Sequence, residues 1–391
     1  MAAEEECDDE ELDDDRVVII DNGSGTCKAG LSKDAEGNDL HLPSCVFPEV
    51  VGRPRKVWQS SLDKEVYCGA EVDEFRSKLA VSYPLENGII ENFEYMELLW
   101  EHCFVEQLQL NPQDYPVLLT EPPYNPKRNR EMIVEAMFET FGVPSLNISI
   151  QGVLALLGQG RTTGLVLDSG EGVTHTIPIF DGYGLPQGIH RLDLAGRELN
   201  TLLAKLLAQE GTCLTTTVEQ HHVRLMKEQL CYVARDPSKE FAEAVSYQLP
   251  DGREVQLTDE RWKCPEALFN PGIIGLESLG VAGLVWESIS KCDIDVRKTL
   301  LSKVVLSGGS TMFPGFEPRL SKELKSYAPS ATQANVRIVQ PKDQDQKFAV
   351  WSGAQVFASL RSMQEEQWMS IEDYDEYGAH FIHDKIAVKF N

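Results

Sequence analysis

One arrangement of residues occurs twice in this chain and limits what it can fold into. Val17-Val18-Ile19-Ile20 runs into Asp21-Asn22-Gly23-Ser24-Gly25, and Gly164-Leu165-Val166-Leu167 runs into Asp168-Ser169-Gly170-Glu171-Gly172. Each copy is an apolar run ending in an acid, followed by small residues and a second segment (26–31 and 173–180). That order predicts strand, tight turn, strand. The glycines permit positive φ and let a ligand approach the backbone. Successive N–H groups then form an anion nest, to which the hydroxyls of Ser24 and Ser169 add donors. Two such turns facing each other would clamp a polyphosphate. Asp21 and Asp168 repel phosphate, so their expected task is to hold a hydrated Mg2+ through its waters, an ion that favours carboxylate and phosphate oxygens. Either copy alone reads more readily as an ordinary hairpin, because D-x-G turns are common. The pair, each after an apolar strand, points to a nucleotide clamp.

A chain of 391 residues has room for two domains or one large α/β unit with an ample core. Its formal net charge of -26 is unusual. Ten of the 62 acidic residues fall within residues 1–15, where no Lys or Arg occurs. That stretch reads as a solvated tail, suited to solubility or to a basic partner surface. So acidic a chain is not expected to contact nucleic acid directly. The nine cysteines are scattered and form no C-x-x-C pair, which argues against a zinc site or disulfide framework and for a reducing compartment. No leader and no apolar run near 18 residues stands out, so membrane insertion is not expected and a cytoplasmic or nuclear location is.

Along the chain, residues 32–42 read as a surface loop, and residues 56–64 as an exposed loop carrying Trp58 and Leu62. Pro84 to Gly88 forms a turn, residues 93–108 a helix, and Val117 to Thr120 a buried strand. Asn125 is expected to cap a helix that starts at Pro126 and reaches Phe141. Residues 146–150 follow as a strand and 153–157 as a helix. Alternating strands and helices indicate α/β layers. After the second hairpin, helices are expected from Gly196 to about Gly211 and across Val223, Met226, Leu230 and Val233. Residues 247–257 read as a hairpin and 268–284 as an apolar loop broken by glycines. Val304-Val305-Leu306 enters a third glycine turn, Ser307-Gly308-Gly309-Ser310. A final strand is expected to reach Val350-Trp351, then a helix from Gly353 to Met363, then a tail over residues 374–391.

Taken together, residues 18–30, 118–122, 160–164, 168–175, 191–197, 264–269 and 305–312 resemble the actin family, in that family's order. The resemblance covers roughly residues 16–380. It implies an actin-like ATPase fold, two similar ribonuclease-H-like α/β domains (four subdomains) flanking a cleft for ATP or ADP and Mg2+. The small domain would be 16–158 with 349–391, carrying an insertion near 49–83. The large domain would be 159–348, with an insertion near 195–276. The implied phosphate contacts are Gly23, Ser24, Gly25, Thr26 and Lys28 on one side, and Gly170, Glu171, Gly172 and Val173 on the other. Asp21, Gln151 and Asp168 would order the waters around Mg2+, and Gln151 and His175 would position an attacking water. Gly196, Arg224, Lys227, Glu228, Gly308, Gly309, Ser310, Met312, Phe313 and Lys347 would hold the nucleoside. A water-positioning amide suits phosphoryl transfer, which depends mostly on placement and charge neutralisation.

Several stretches depart from the family's pattern. Glu171 stands where actins carry Asp, and Asn87 where they carry His. Residues 31–48 are longer than the family's loop, and residues 56–65 are shorter and unlike it. Leu157-Gly158 and residues 386–391 differ at places where actins contact one another. Kept nucleotide residues with altered polymer contacts suit a nucleotide-switched subunit of a larger actin-related assembly, with actin, actin-related subunits and actin-binding proteins as partners. The alternatives are a divergent filament-forming actin with slow hydrolysis and, more remotely, a small-molecule kinase on the same core.

Overall fold

A computed structural model describes residues 16–339, 346–361 and 365–386 of the chain. The acidic segment 1–15, the expected helix end at Met363 and residues 387–391 lie outside the described residues.

Strands β1 (Val18–Asn22) and β2 (Thr26–Leu31) form the first expected hairpin, in register from Val18 opposite Leu31 to Asn22 opposite Cys27. Strand β3 (Cys45–Pro48) extends it. A small separate sheet follows, of β4 (Val51–Pro54), β5 (Tyr67–Cys68) and β6 (Leu79–Ser82), and then a tight hairpin of β7 (Leu85–Glu86) and β8 (Ile89–Ile90). Strand β9 (Val117–Glu121) pairs parallel with β1, and β10 (Ser145–Ile150) pairs parallel with β9.

The second expected hairpin is β11 (Gly164–Ser169) with β12 (Thr174–Phe180), from Gly164 opposite Ile179 to Ser169 opposite Thr174. Beside β12 lie β13 (Tyr183–Gly184) and β14 (His190–Leu192). Strands β15 (Val245–Gln248) and β16 (Glu254–Leu257) make a detached hairpin. Strand β17 (Val304–Ser307) joins β11 in parallel and β18 (Ile338–Val339) follows; β19 (Met369–Ser370) closes the first sheet. The two large sheets therefore run β19-β10-β9-β1-β2-β3 and β13-β12-β11-β17-β18. Each has the same centre: a hairpin whose first strand is flanked on its other edge by a parallel strand. Burial on both faces explains why the central strands are continuous apolar runs and lack alternation.

One core layer is shared by the sheets. Val17, Ile19 and Leu118 from the first side and Val166, Ile177 and Val305 from the second pack with the helices Gln151–Leu157 and Ala349–Ser359. Those helices touch backbone to backbone. A Cβ added to Gly353 would fall 1.7 Å from Leu154 O, and one at Gly158 would fall 2.8 Å from Ala349 O. Small residues at both crossing points permit this approach.

Five expectations need correction. Val350 and Trp351 belong to the helix Ala349–Ser359 and not to a strand. A short apolar run carries no period that separates the two. Asn125 does not cap the next helix; its Nδ2 donates to Glu121 at 2.9 Å, and Pro126 takes the cap position before Lys127–Glu135. Val233 lies beyond the helix Thr217–Leu230, and its N–H donates to Pro314 O at 2.8 Å. The expected apolar loop 268–284 is loop only in its middle, between the helices Glu260–Phe269 and Val281–Lys291. Pro265 hides the first of them, since proline removes a helical N–H. The carbonyl it leaves free, on Arg261, accepts from Tyr232 N at 3.0 Å instead. Finally, the expected tail contains the helices Ile371–Tyr377 and Ile382–Lys385.

Candidate functional site

The two acidic turns meet. Gly172 lies so close to Ser24 that an added Cβ would stand 2.5 Å from Ser24 Oγ, and one on Gly25 would stand 2.9 Å from Glu171 Cβ. The tip of the β7–β8 hairpin is wedged against them: Gly88 N donates to Ser24 Oγ at 2.9 Å. The Ser24 hydroxyl therefore accepts from behind and keeps its proton for the cleft. Ser169 differs from the expectation. Its Oγ lies 2.7 Å from Thr174 Oγ1, which donates on to Leu194 O, so this hydroxyl is spent inside the hairpin.

Between the turns opens a cavity of about 350 Å³. Its lining includes Asp21, residues 23–26, Lys28, Gln151, Asp168, residues 170–173, Arg224, Lys227, Glu228, residues 308–310, Met312, Phe313 and Lys347. Besides Ser169, two expected residues lie outside it. Gly196 sits just behind, its carbonyl accepting from Lys227 Nζ at 2.9 Å. His175 is buried on β12, directly opposite Asp168 in the antiparallel ladder, and its Nε2 has no hydrogen-bond partner among the described residues.

The floor is a network centred on Asp21. Its Oδ2 takes a 2.8 Å ion pair from Lys28, its cross-strand neighbour. Its Oδ1 accepts from Thr120 Oγ1 at 2.7 Å and Gln151 Nε2 at 3.3 Å. Gln151 Nε2 also donates to Asn22 O at 2.9 Å. These contacts all use the amide nitrogen, so Oε1 remains as an acceptor. Burial works against the charge on Lys28, yet Asp21 outweighs it and raises the Lys28 pKa. Burial raises the pKa of Asp168 against a hydrogen bond from Ser307. His175 is pushed down to about 3, first by burial and then by Arg191, and so stays neutral.

A third turn closes the far wall. Gly308 has φ 83°, and a Cβ there would lie 2.3 Å from Ser169 O, so only glycine fits. Ser310 Oγ donates to Gly170 O at 2.7 Å, tying this turn to the second. Glu171 reaches sideways, its Oε2 3.3 Å from Lys227 Nζ and its Oε1 accepting from Asn200 at 2.9 Å. Arg224 Nε donates to Glu228 at 2.9 Å one helical turn away.

Chemically, the turns offer N–H groups and one lysine to an anion, while Asp21 and Asp168 offer hard oxygens. Two carboxylates are too few to cage a metal, but they suit Mg2+, which keeps waters and takes phosphate oxygens. Sequence reasoning missed Thr120, Asn22, Gly88 and Val350 as parts of the site. Thr120 directly follows the apolar run Val117-Leu118-Leu119, which is a usable signal; Gly88 belongs to a turn 64 residues from its partner Ser24 and left none.

No helix among the described residues is long and apolar enough to cross a membrane. The family model described as Actin matches residues 12–387. With paired acidic hairpins at the centres of two sheets and a sequence match over nearly the whole length, the chain belongs to the actin family.

Proposed function

We propose that the cleft binds ATP or ADP with Mg2+ and that its opening and closing makes the chain a nucleotide-switched subunit of a larger actin-related assembly. The observation that carries this is the contact between the two turns, Ser24 against Gly172 and Gly25 against Glu171, with both acids lining one cavity. Ser24, the turn N–H groups and Lys28 would grip the phosphates from one side and residues 170–173 from the other. Asp21 and Asp168 would orient the waters of Mg2+, with Gln151 as a third anchor. Bound Mg2+ supplies charge neutralisation for the polyphosphate.

Gln151, fixed by its amide nitrogen, would hold a water through Oε1. His175, neutral and without a partner at Nε2, would take part in ordering water behind Asp168. Such a site would hydrolyse ATP slowly, since it offers positioning and no strong base. Lys227 and Glu228 would face the ribose, and Arg224, Met312, Phe313 and Lys347 the base. Nucleotide bridging both turns would favour the closed cleft, and loss of the terminal phosphate would relax it. The crossing at Gly158 and Gly353 is suited to act as the pivot between two halves, each with a further subdomain. Cytoplasmic actin or actin-related subunits and actin-binding proteins are the proposed partners, with a basic surface for segment 1–15.

Sedimentation of the full chain with Mg-ATP tests the assembly role. Protein that stays in the supernatant alone and pellets only with actin filaments or their partners is the expected result. Self-pelleting with Mg-ATP and salt would favour the filament-forming alternative.

A further inference from the structure

Three thiols meet directly beneath the first turn. In the β2–β3 ladder Cys27 faces Phe47 and Ala29 faces Cys45, so these four side chains share one face of the sheet. The helical segment His102–Leu108 packs on that face, and His102 meets Phe47 edge to face at 5.3 Å. The next residue, Cys103, lies in the same core cluster as Cys27, and Cys45 packs against that cluster. Cys27 and Cys103 are buried, whereas Cys45 is half-buried.

Thiols often serve as small apolar fillers, and Cys27 and Cys103 do pack in the core here. Cys45 differs from a filler in two respects. It reaches solvent while packing against a cluster that holds the buried thiols of Cys27 and Cys103, the arrangement of an attacking cysteine beside a resolving one. Its contact with Cys103 also holds its thiol below the usual value, whereas burial pushes Cys27 up to about 11. The chain contains its own comparison. Cys231 and Cys264 also lie in mutual contact, but both are buried.

We propose that Cys45 and Cys103 are a peroxide-sensitive modification site, closing to a disulfide that pins β3 to the segment above it, with Cys27 as a second resolving thiol. The Cys45 thiolate attacks the O–O bond of hydrogen peroxide, forms a sulfenic acid and releases water. The Cys103 sulfur then attacks the sulfenic sulfur, forms the S–S bond and expels a second water. Two thiols give up two electrons and two protons, and the peroxide takes both. Cys27 lies between Thr26 and Lys28, which line the cavity, so the cross-link bears on the strand that supports the first turn. That consequence rests on the nucleotide reading; the disulfide does not.

The test is a hydrogen peroxide titration of the full-length protein, followed by alkylation and peptide mapping. The expected product is a Cys45–Cys103 cross-linked peptide lacking two hydrogens, reversible by dithiothreitol, appearing while Cys231 and Cys264 still alkylate as free thiols. Cys45→Ser should abolish it while the exposed Cys213 remains open to oxidation. This substitution lies at a half-buried position, and an unchanged melting temperature confirms that the variant is folded. Full alkylation of Cys45 and Cys103 at a dose that has oxidised Cys213 overturns the proposal. ATP affinity, measured before and after oxidation, reads the consequence separately: a severalfold loss supports the coupling, and an unchanged value overturns it. Failure of the reduced protein to bind ATP would contradict the functional reading without touching the thiol result.

Discussion

Lys28 Nζ stands 2.8 Å from Asp21 Oδ2, and the two residues face each other across the first two strands of the chain. The ammonium neutralises an acid that is almost wholly buried, and it does so at the wall of the cavity. Lys28→Met should leave that acid with neutral donors only. Removing one partner of a buried pair costs about 3–5 kcal/mol. Equilibrium denaturation should show a loss of that order, together with weaker ATP binding. A variant as stable as the parent would show that the pair does not support the fold.

Glu49 directly follows β3 and presents the opposite problem. It is buried, neither carboxylate oxygen has a hydrogen-bond partner among the described residues, and burial raises its pKa well above the ordinary value, with Lys28 opposing and Asp21 adding. A carboxyl raised on folding binds a proton that the unfolded chain releases. Its contribution is therefore complete below the unfolded value near 4.5 and is lost as pH rises through the folded one. Glu49→Gln should flatten that decline in denaturation curves collected upward from pH 4.5. An unchanged slope would exclude Glu49 as its source.

His175 acts in the other direction. Its folded pKa of about 3 lies below the ordinary 6.5, so its contribution is present above 6.5 and is lost as pH falls toward 3. His175→Gln should remove part of the acid sensitivity between those values. Thermal melts between pH 4 and pH 7 measure it, and an equally acid-sensitive variant would contradict the assignment.

Glu121 and Arg130 form a second buried pair, at 2.6 Å, joining the end of β9 to the helix that follows it. Arg130→Ala should destabilise the chain by about 3–5 kcal/mol, because Glu121 would stay buried with Asn125 as its one side-chain donor among the described residues. Chemical denaturation checks this, and a loss under 1 kcal/mol would contradict it.

The centre of the fold was legible because its strands are unusual. β1 and β11 are buried on both faces, so their apolar runs stand out, and the acid-glycine turns after them mark where each run must end. The same features located the cavity lining from Asp21 to Lys28 and from Asp168 to Val173. What the sequence hid depended on distant chain. The helix containing Pro265 survives because Tyr232 fills the vacated bond. Val350 and Trp351 are helical because Gly353 lets their helix press against Leu154. Ser169 looked equivalent to Ser24, yet Thr174 claims its hydroxyl while Gly88 leaves the proton of Ser24 available. No local pattern distinguishes those two serines.

The most direct test of the account is calorimetric titration of Mg-ATP into the full chain and into its Asp168→Ala variant. The account predicts saturable binding at one site per chain, and a loss of at least tenfold in affinity when the carboxylate is removed. Equal affinity in the two proteins, or no binding by the parent, would contradict it.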